Sequence, residues 1–303
     1  YCGGVAAPAV ARKASRRRIP QRLAARLSPL SLPQLQSFIT MLKNKDAASF
    51  DAEEFCSSAN LLCRQDMAYH PAVGSQYSCS IHCRKGDAVE NMHMFLDKNE
   101  LRESGEITLP DLRSTITWKS FWPRVLAELM PPVSTANLSQ ILTLLNIPPE
   151  SNVSRNMASS LELCEASREE GEVKRCITSV EDMAEFVLSV SGSGVELLTD
   201  PSTVGSGQTV KVRKASRREN VKGSKLRVAC HSFVYPYGLF YCHSFPGSDV
   251  FGLELEAVEN ENRVIRNATA ICHYFPNAGP GNDAACHLVF GDMMLWLPKS
   301  AQT

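Results

Sequence analysis

The chain has 303 residues, of which 44% are apolar, and its 32 basic and 32 acidic side chains give a formal net charge of zero. This length and apolar content are sufficient for a large buried core in one or two domains. A zero net charge argues against a globally basic nucleic-acid-binding protein, and no apolar run in the sequence is long enough to span a bilayer. We therefore expect neither a nucleic-acid partner nor a membrane span.

The N-terminal part of the chain is predicted to contain a tail, a helical segment and a linker. Residues 1–31 carry seven basic side chains and no acidic one, which is typical of a flexible tail, a pro-segment or an organelle transit peptide. Apolar residues at helical spacing (Leu35, Phe38, Ile39 and Leu42) predict a helix over residues 32–45, within a segment that extends to residue 63. Residues 64–93 lack periodicity and are predicted to be a linker.

In the remaining chain, helices are predicted first and strands second. Helical periodicity follows Pro123, continues over residues 138–145 and 157–164, and begins again at Ser179, where the sequence SVED resembles a capping box. Beyond Gly194, runs of β-formers separated by turn residues predict six strands, at 195–199, 209–212, 226–231, 237–243, 250–258 and 264–272. This order predicts an α+β fold in which antiparallel strands follow helices.

The last quarter of the chain contains four Cys-His dipeptides, which are Cys230-His231, Cys242-His243, Cys272-His273 and Cys286-His287. Adjacent residues of a strand point to opposite faces, so one such dipeptide would indicate no more than a core cysteine beside a surface histidine. Four of them within 58 residues favour a common role. Their gaps do not match the paired spacing of structural zinc sites. We therefore favour cysteines that form disulfides among themselves, in a connectivity left open, and histidines that remain as ligands for copper or zinc.

The cysteine content of the sequence also indicates the cellular compartment of the protein. Eleven cysteines in a chain of this size indicate an oxidising environment and therefore secretion. Three glycosylation sequons, at Asn137, Asn152 and Asn267, agree with a secreted glycoprotein. Cys56 and Cys63 are close enough in sequence to close a small loop. No signal-peptide pattern opens the sequence, so we interpret it as a mature or partial chain.

A basic tract lies between residues 211 and 227, where eight basic side chains accompany one acidic residue, Glu219. Arginine can hold a carboxylate with two hydrogen bonds, so the tract is a candidate polyanion site. Its candidate residues are Lys211, Arg213, Lys214, Arg217 and Arg218. The alternative is a solvated hairpin loop without a ligand. The tract has no interleaved aromatic residues for base stacking, which disfavours nucleic acid.

The sequences ACHSFVYPYGLFYCHSFPGSDVFGLELE, NATAICHYF and AACHLVFGDMMLW resemble the BURP domain, a plant-specific module defined by four Cys-His dipeptides. Sequences between residue 94 and the first Cys-His dipeptide also resemble this domain, so the resemblance covers residues 94–298. The sequence FCSSANLLC at residues 55–63 resembles the N-terminal region of the non-catalytic beta subunit of polygalacturonase. The F-x-x-Y-G-like repeats of that subfamily are absent, because residues 64–93 occupy their place.

This resemblance implies a disulfide between Cys164 and Cys176 and a protein of the plant cell wall or apoplast. It implies a partner, either a polygalacturonase catalytic subunit or pectin, and no catalysis by the chain itself. The alternative that the family offers is a copper-dependent autocatalytic peptide cyclase, with copper held by His231, His243, His273 and His287. Such a cyclase needs a repeated substrate peptide, whereas the linker has only Tyr69 and Tyr77 without a repeat. We therefore favour the non-enzymatic interpretation.

One departure from the family bears on the metal site. The gap between the third and fourth dipeptides is twelve residues, Tyr274 to Ala285, about half the length typical of the family. Each deleted residue removes about 3.3–3.6 Å of reach, so we expect His273 and His287 to be displaced from a family-like arrangement. The expectation is at most one copper ion, dependent on His231 and His243.

Overall fold

A computed structural model describes residues 21–24, 26–44, 52–62, 96–109, 119–199, 208–218, 226–259, 262–274, 284–289 and 293–299. The fold is α+β with antiparallel sheets, which confirms the predicted class. The helices are α1 (Gln21–Ala24), α2 (Leu32–Asn44), α3 (Ala52–Ser58), α4 (Arg124–Ala127), α5 (Leu138–Leu144), α6 (Asn152–Glu165) and α7 (Val180–Ser191), with 3₁₀ turns at Lys98–Leu101 and Thr135–Asn137. The predicted linker lies outside the described residues.

The ten strands of the described residues form two sheets of five. They are β1 (Glu106–Thr108), β2 (Val173–Ile177), β3 (Val195–Leu198), β4 (Thr209–Arg217), β5 (Val228–Ser232), β6 (Phe240–Ser244), β7 (Asp249–Glu259), β8 (Asn262–Tyr274), β9 (Ala284–Val289) and β10 (Met294–Pro298). Sheet I has the order β1-β4-β7-β8-β9, and sheet II has the order β2-β6-β5-β10-β3. Neighbouring strands are antiparallel throughout both sheets.

The helices begin and end at residues suited to those positions. The Ser151 side chain accepts a hydrogen bond from the Ser154 backbone N–H at the start of α6, and Ser179 accepts one from Asp182 at the start of α7. Helix α7 ends at Gly192, which has a φ of 74° that favours glycine. Apolar residues that recur about once per helical turn place one face of α7, including Phe186 and Val187, against sheet II.

The sheets pack face to face with apolar residues between them. Ala229 and Leu295 of sheet II belong to the same buried cluster as Val250 and Ile271 of sheet I. Helix α7 covers the other face of sheet II. A separate cluster that includes Leu96 and the 3₁₀ turn at Lys98–Leu101 covers the other face of sheet I. Both faces of each sheet are therefore buried near the Cys-His dipeptides.

Helices α2, α3, α5 and α6 share one further core with the segment between β5 and β6. Leu35 and Phe38 of α2 pack in this cluster with Trp122 and Tyr237, and the Trp122 and Tyr237 rings stack with centroids 4.6 Å apart. The N-terminal helical segment is therefore joined to the same core as the β-rich part. Among the described residues, no helix has the length and apolar content to cross a membrane.

Three local predictions differ from the structure. Strand β2 lies between α6 and α7, so strands do not simply follow the helices. Strand β4 continues through Arg217, so much of the basic tract is a strand rather than a loop. Residues 237–239, predicted as the start of a strand, belong instead to the buried connection between β5 and β6, where Tyr237 and Leu239 pack into the helical core.

Candidate metal centre

Strand register places the four Cys-His dipeptides in two equivalent hairpins. In the first CH hairpin, β5 and β6, Cys230 lies opposite Cys242. In the second CH hairpin, β8 and β9, Cys272 lies opposite Cys286. Because successive side chains alternate between faces, the histidine that follows each cysteine points to the opposite face. The two histidines of each hairpin are diagonal neighbours on that face.

The cysteines of each hairpin form a cross-strand disulfide. Cys230 is bonded to Cys242 and Cys272 to Cys286, with Cα–Cα distances of 4.0 and 3.9 Å. The first disulfide packs against the α7 side of sheet II and the second packs in the cluster on the outer face of sheet I. Oxidised sulfur cannot serve as a thiolate ligand, so these four residues do not form a Cys-His zinc site.

All four histidines point into the space between the sheets, where they form a closed ring of contacts that we term the histidine square. Nε2 of His231 lies 3.2 Å from Nε2 of His243, and Nε2 of His273 lies 3.2 Å from Nε2 of His287. Across the sheets, ring centroids are 5.0 Å apart for His231 and His287 and 4.8 Å apart for His243 and His273. Each imidazole therefore contacts one from its own hairpin and one from the other sheet.

His273 and His287 are not displaced relative to the histidines of the first CH hairpin, because the two hairpins have equivalent registers. Tyr274 pairs with Ala284, so strand pairing continues directly from the histidines to the ends of the gap. Residues 275–283, which lie outside the described residues, have only to connect two adjacent strand ends. The separation of the histidines is therefore fixed by the β8–β9 register and not by the length of the loop.

Burial keeps three of the four imidazoles, those of His231, His273 and His287, neutral. The four side chains are 2–5% exposed. Burial, together with the neighbouring histidines, lowers the pKa of His231 and His273 well below the usual value of 6.5 and lowers the pKa of His287 to about 3. A neutral imidazole has a lone pair available for a metal, so these three rings are in the ligand-competent form at neutral pH.

Two side chains that the sequence did not indicate contact the outer nitrogens of the square. Oε1 of Glu172 lies 3.3 Å from Nδ1 of His243 and accepts a 2.7 Å hydrogen bond from the Tyr241 hydroxyl. Burial by itself raises the pKa of Glu172, but the hydrogen bonds from His243 and Tyr241 outweigh it and lower this pKa to about 2. Oγ of Ser248, in the connection from β6 to β7, lies 3.0 Å from Nδ1 of His273. Glu172 immediately precedes β2, and the residues around it in the sequence do not indicate that its carboxylate would contact a histidine.

Three imidazoles of the square are close enough together to bind one transition-metal ion, and Nε2 of His273 lies 3.2 Å from that of His287. Ligand nitrogens of His231, His243 and His287 all lie within 4.8 Å of one another. Nitrogen ligands about 2.0–2.1 Å from a metal in tetrahedral geometry lie about 3.3 Å apart, close to the 3.2 Å contacts within each pair. Imidazole ligands suit copper and zinc, and bound copper would supply one-electron redox chemistry. The donor set therefore fits the metal predicted from the sequence.

The predicted polyanion residues face acidic partners contributed by other strands. Arg213 lies 3.1 Å from Glu256, and Lys214 lies 4.0 Å from Glu254. Arg217 lies 2.5 Å from Asp249 and Arg218 lies 3.2 Å from Glu196. Lys211 is exposed on β4. The positive field expected from the sequence is thus largely offset, because the pairing strands bring acids that are distant in sequence.

The remaining predicted residues lie away from the histidine square. Cys164 is bonded to Cys176, which joins α6 to β2. Cys56 is disulfide-bonded, and Cys63 lies outside the described residues. Asn137 and Asn152 are partly buried at the starts of helices. Asn267 is exposed on β8 and lines a cleft of 540 Å³.

The structure thus defines a disulfide-braced protein in which two antiparallel sheets enclose four imidazoles. Residues 94–298 match the BURP domain, and the chain belongs to that family. It is 28% identical over 268 residues to BURP domain-containing protein 16 of Oryza sativa subsp. japonica, covering 80% of this chain and 75% of the relative.

Two other relatives carry polygalacturonase names. The chain is 29% identical to polygalacturonase-1 non-catalytic subunit beta of Solanum lycopersicum, over 75% of this chain and 38% of that protein. It is 32% identical to polygalacturonase 1 beta-like protein 3 of Arabidopsis thaliana, over 67% of this chain and 34% of that protein. The chain therefore spans little more than a third of the length of these two relatives.

Proposed function

We propose that this protein is an extracellular, non-catalytic plant BURP protein whose histidine square binds one copper ion. The observation that carries the proposal is the convergence of four buried, diagonally paired imidazoles from both sheets. A metal held there joins the first and second CH hairpins through four ligands, in addition to the two disulfides within them. Copper therefore stabilises the packing of the sheets as a cross-link that neither hairpin makes alone.

The partner belongs to the same proposal. Two relatives are named as a polygalacturonase non-catalytic subunit and as a beta-like protein, which supports a polygalacturonase catalytic subunit or pectin as the partner. The disulfides support a location outside the cytosol, in the cell wall or apoplast. The three sequons agree with such a location, and Asn267 is the most exposed of them.

The cyclase alternative uses the same ligands but needs a substrate at the metal. A peptide must reach the copper ion, lose two hydrogens to an oxidant such as O₂ and form a new bond. The rings of the square are 2–5% exposed, so the centre has almost no surface on which a peptide could lie. This burial favours a binding protein over an enzyme.

Copper content and intact mass test the metal part of this proposal together. The protein is secreted from a eukaryotic host grown with copper, and parallel cultures receive zinc. We expect one copper per chain and an unchanged peptide mass around Tyr69 and Tyr77. Absence of copper would refute the metal site. A loss of two hydrogens in that peptide under copper and O₂ would instead favour the cyclase.

The partner is tested separately with purified components. The copper-loaded protein is added to a plant polygalacturonase catalytic subunit, and association is followed by size-exclusion chromatography with light scattering. Retention on immobilised polygalacturonate is measured in parallel. We expect association with one of the two. Binding to neither would refute the accessory role while leaving the metal site intact.

A further inference from the structure

Two of the four histidines have their outer ring nitrogen beside a polar side chain that is not part of the square. In the first CH hairpin, Nδ1 of His243 lies 3.3 Å from Oε1 of Glu172. In the second CH hairpin, Nδ1 of His273 lies 3.0 Å from Oγ of Ser248. One such histidine therefore belongs to each sheet, and the two rings face each other across the sheets with centroids 4.8 Å apart.

The protons around Ser248 define the tautomer of His273. Ser248 donates its single hydroxyl proton to the carbonyl oxygen of Phe245 over 3.0 Å. The lone pairs of Oγ then face Nδ1 of His273, so the ring is the donor in that contact. A neutral imidazole carries one N–H, and a proton on Nδ1 leaves the lone pair of Nε2 available. That Nε2 atom points into the square, towards His287.

Glu172 defines the tautomer of His243 in a different way. Its Oε1 accepts from the Tyr241 hydroxyl over 2.7 Å, and its Oε2 accepts from the backbone N–H of Glu169 over 3.1 Å. Because both carboxylate oxygens already act as acceptors, the proton in the 3.3 Å contact between Oε1 and His243 is assigned to Nδ1. The Glu172 side chain is 0% exposed, so water does not compete for this contact. The Nε2 lone pair of His243 is again directed into the square.

We infer that Glu172 and Ser248 are positioning residues that hold His243 and His273 in the Nδ1–H tautomer, so that one Nε2 lone pair from each sheet is directed at the centre. The inference rests on the proposed function for the identity of the ligand, which is copper. Outer partners of this kind fix the orientation of a metal-binding imidazole and raise its basicity. We expect Glu172 to have the larger effect on its histidine, because its side chain is charged and both of its carboxylate oxygens accept hydrogen bonds.

Histidine tautomers can be measured without any metal. Long-range ¹H–¹⁵N NMR spectra of the metal-free protein report which ring nitrogen carries the proton. We expect Nδ1–H for His243 and His273 in the wild type, and a mixture of tautomers for His243 in Glu172→Gln. Glu170→Gln, which alters an exposed carboxylate two residues earlier, is the matched control and should leave the spectrum of His243 unchanged.

Copper affinity provides the second readout, by competition with a chelator of known affinity. Loss of an outer partner typically weakens metal binding by about 10–100-fold. We expect Glu172→Gln to fall in this range with an altered copper EPR spectrum, and Ser248→Ala to show a smaller loss. If Glu172→Gln fails to fold, Tyr241→Phe keeps the ring while removing one anchor of the carboxylate, and should change both readouts in the same direction.

The two proposals fail in different ways. A wild-type protein that binds no copper refutes the metal site, while the NMR spectra still decide the tautomers. A proton on Nε2 of His243 or His273 in the wild type overturns the positioning role. So does a Glu172→Gln variant that retains both the tautomer and the copper affinity of the wild type.

Discussion

The two CH hairpins have the same ligands but different supports. Each has a disulfide in register and a diagonal histidine pair that faces the other sheet. The first CH hairpin lies inside sheet II, between β2 and β10, whereas β9 of the second CH hairpin ends the order of sheet I. An isolated bridge from Leu96 to Cys286 covers part of β9. The two CH hairpins thus contribute equivalent pairs of imidazoles to the square. They differ in the neighbouring strands and in the polar groups that contact the outer ring nitrogens.

This asymmetry shows that ligand geometry and ligand support are separable properties. Strand register alone is sufficient to bring the histidines together in both hairpins. The surroundings then differ, because a buried carboxylate lies behind His243 and a hydroxyl group lies behind His273. Four perturbations, given in order of decreasing effect, distinguish what the two hairpins have in common from what separates them.

Acidification should have the largest effect, acting through buried histidines of both CH hairpins, His231 in the first and His273 and His287 in the second. The pKa of His287 is about 3 in the folded protein, against a usual value of 6.5. As the pH falls, His287 is therefore protonated in the unfolded chain before it is protonated in the folded protein. The contribution of His287 to the free energy of unfolding is full above pH 6.5 and is lost as the pH drops towards 3. One histidine with this shift accounts for up to roughly 4–5 kcal/mol at pH 3.

The prediction is checked by urea unfolding of the metal-free protein between pH 7 and pH 4. His287→Gln should flatten the loss of stability over this range, because one proton fewer is taken up on unfolding. Equal pH dependence in wild type and variant would show that His287 is not held neutral by burial.

Removal of a disulfide should have the next largest effect and should be similar in both hairpins. The bonded cysteines are separated by 12 and 14 residues, and closing loops near this length stabilises a protein by about 3 kcal/mol. We expect Cys230→Ala with Cys242→Ala, and Cys272→Ala with Cys286→Ala, each to lower the free energy of unfolding by about that amount. Denaturant titration measures it. A markedly larger loss in the first CH hairpin would show that packing against α7 adds to the chain-entropy effect.

Loss of a ligand should weaken copper binding in either hairpin. His231→Gln and His273→Gln each remove one imidazole of the square. Because both sheets contribute to the centre, we expect the two variants to lose copper affinity by more than the roughly 10–100-fold expected for an outer partner. Chelator competition with copper compares them. Retained copper in His273→Gln would mean that His231, His243 and His287 are sufficient to bind the metal.

Disruption of the ion pairs on sheet I should have the smallest effect on stability. Glu254→Gln with Glu256→Gln removes acids that lie 4.0 Å from Lys214 and 3.1 Å from Arg213. Glu256→Gln also removes the 3.4 Å contact with Arg263. The cations of these pairs are exposed, and surface pairs contribute about 0–1 kcal/mol each, so the unfolding midpoint should change little. Retention on polygalacturonate at low salt should rise, because the cations lose their partners, and salt should remove the gain. The control is the double variant Arg213→Gln with Lys214→Gln, which removes the cations instead of the acids. Equal retention of the two double variants would argue against a polyanion surface on β4.

Much of the secondary structure follows from local sequence. Helix α2 occupies Leu32–Asn44, within one residue of the predicted helix, and Ser179 precedes α7 as predicted from its capping pattern. Apolar periodicity and a side-chain cap depend on neighbours within a few residues, so they can be read locally. Strand β2 was missed because Val173–Ile177 is short and carries Lys174 and Arg175. It is a strand because β6 is available to pair with it.

For the candidate site, the sequence determined the ligand types and the tertiary structure decided their arrangement. Four Cys-His dipeptides require thiols and imidazoles on opposite faces of strands, because that alternation is local. The length of a loop does not determine where its ends lie once the strands pair, and this is why the short gap leaves His273 in the same register position as its counterpart in the first CH hairpin. Glu172 approaches His243, and Glu256 approaches Arg213, across strands remote in sequence. Such contacts depend on sheet register and on the packing of two sheets, which no local pattern encodes.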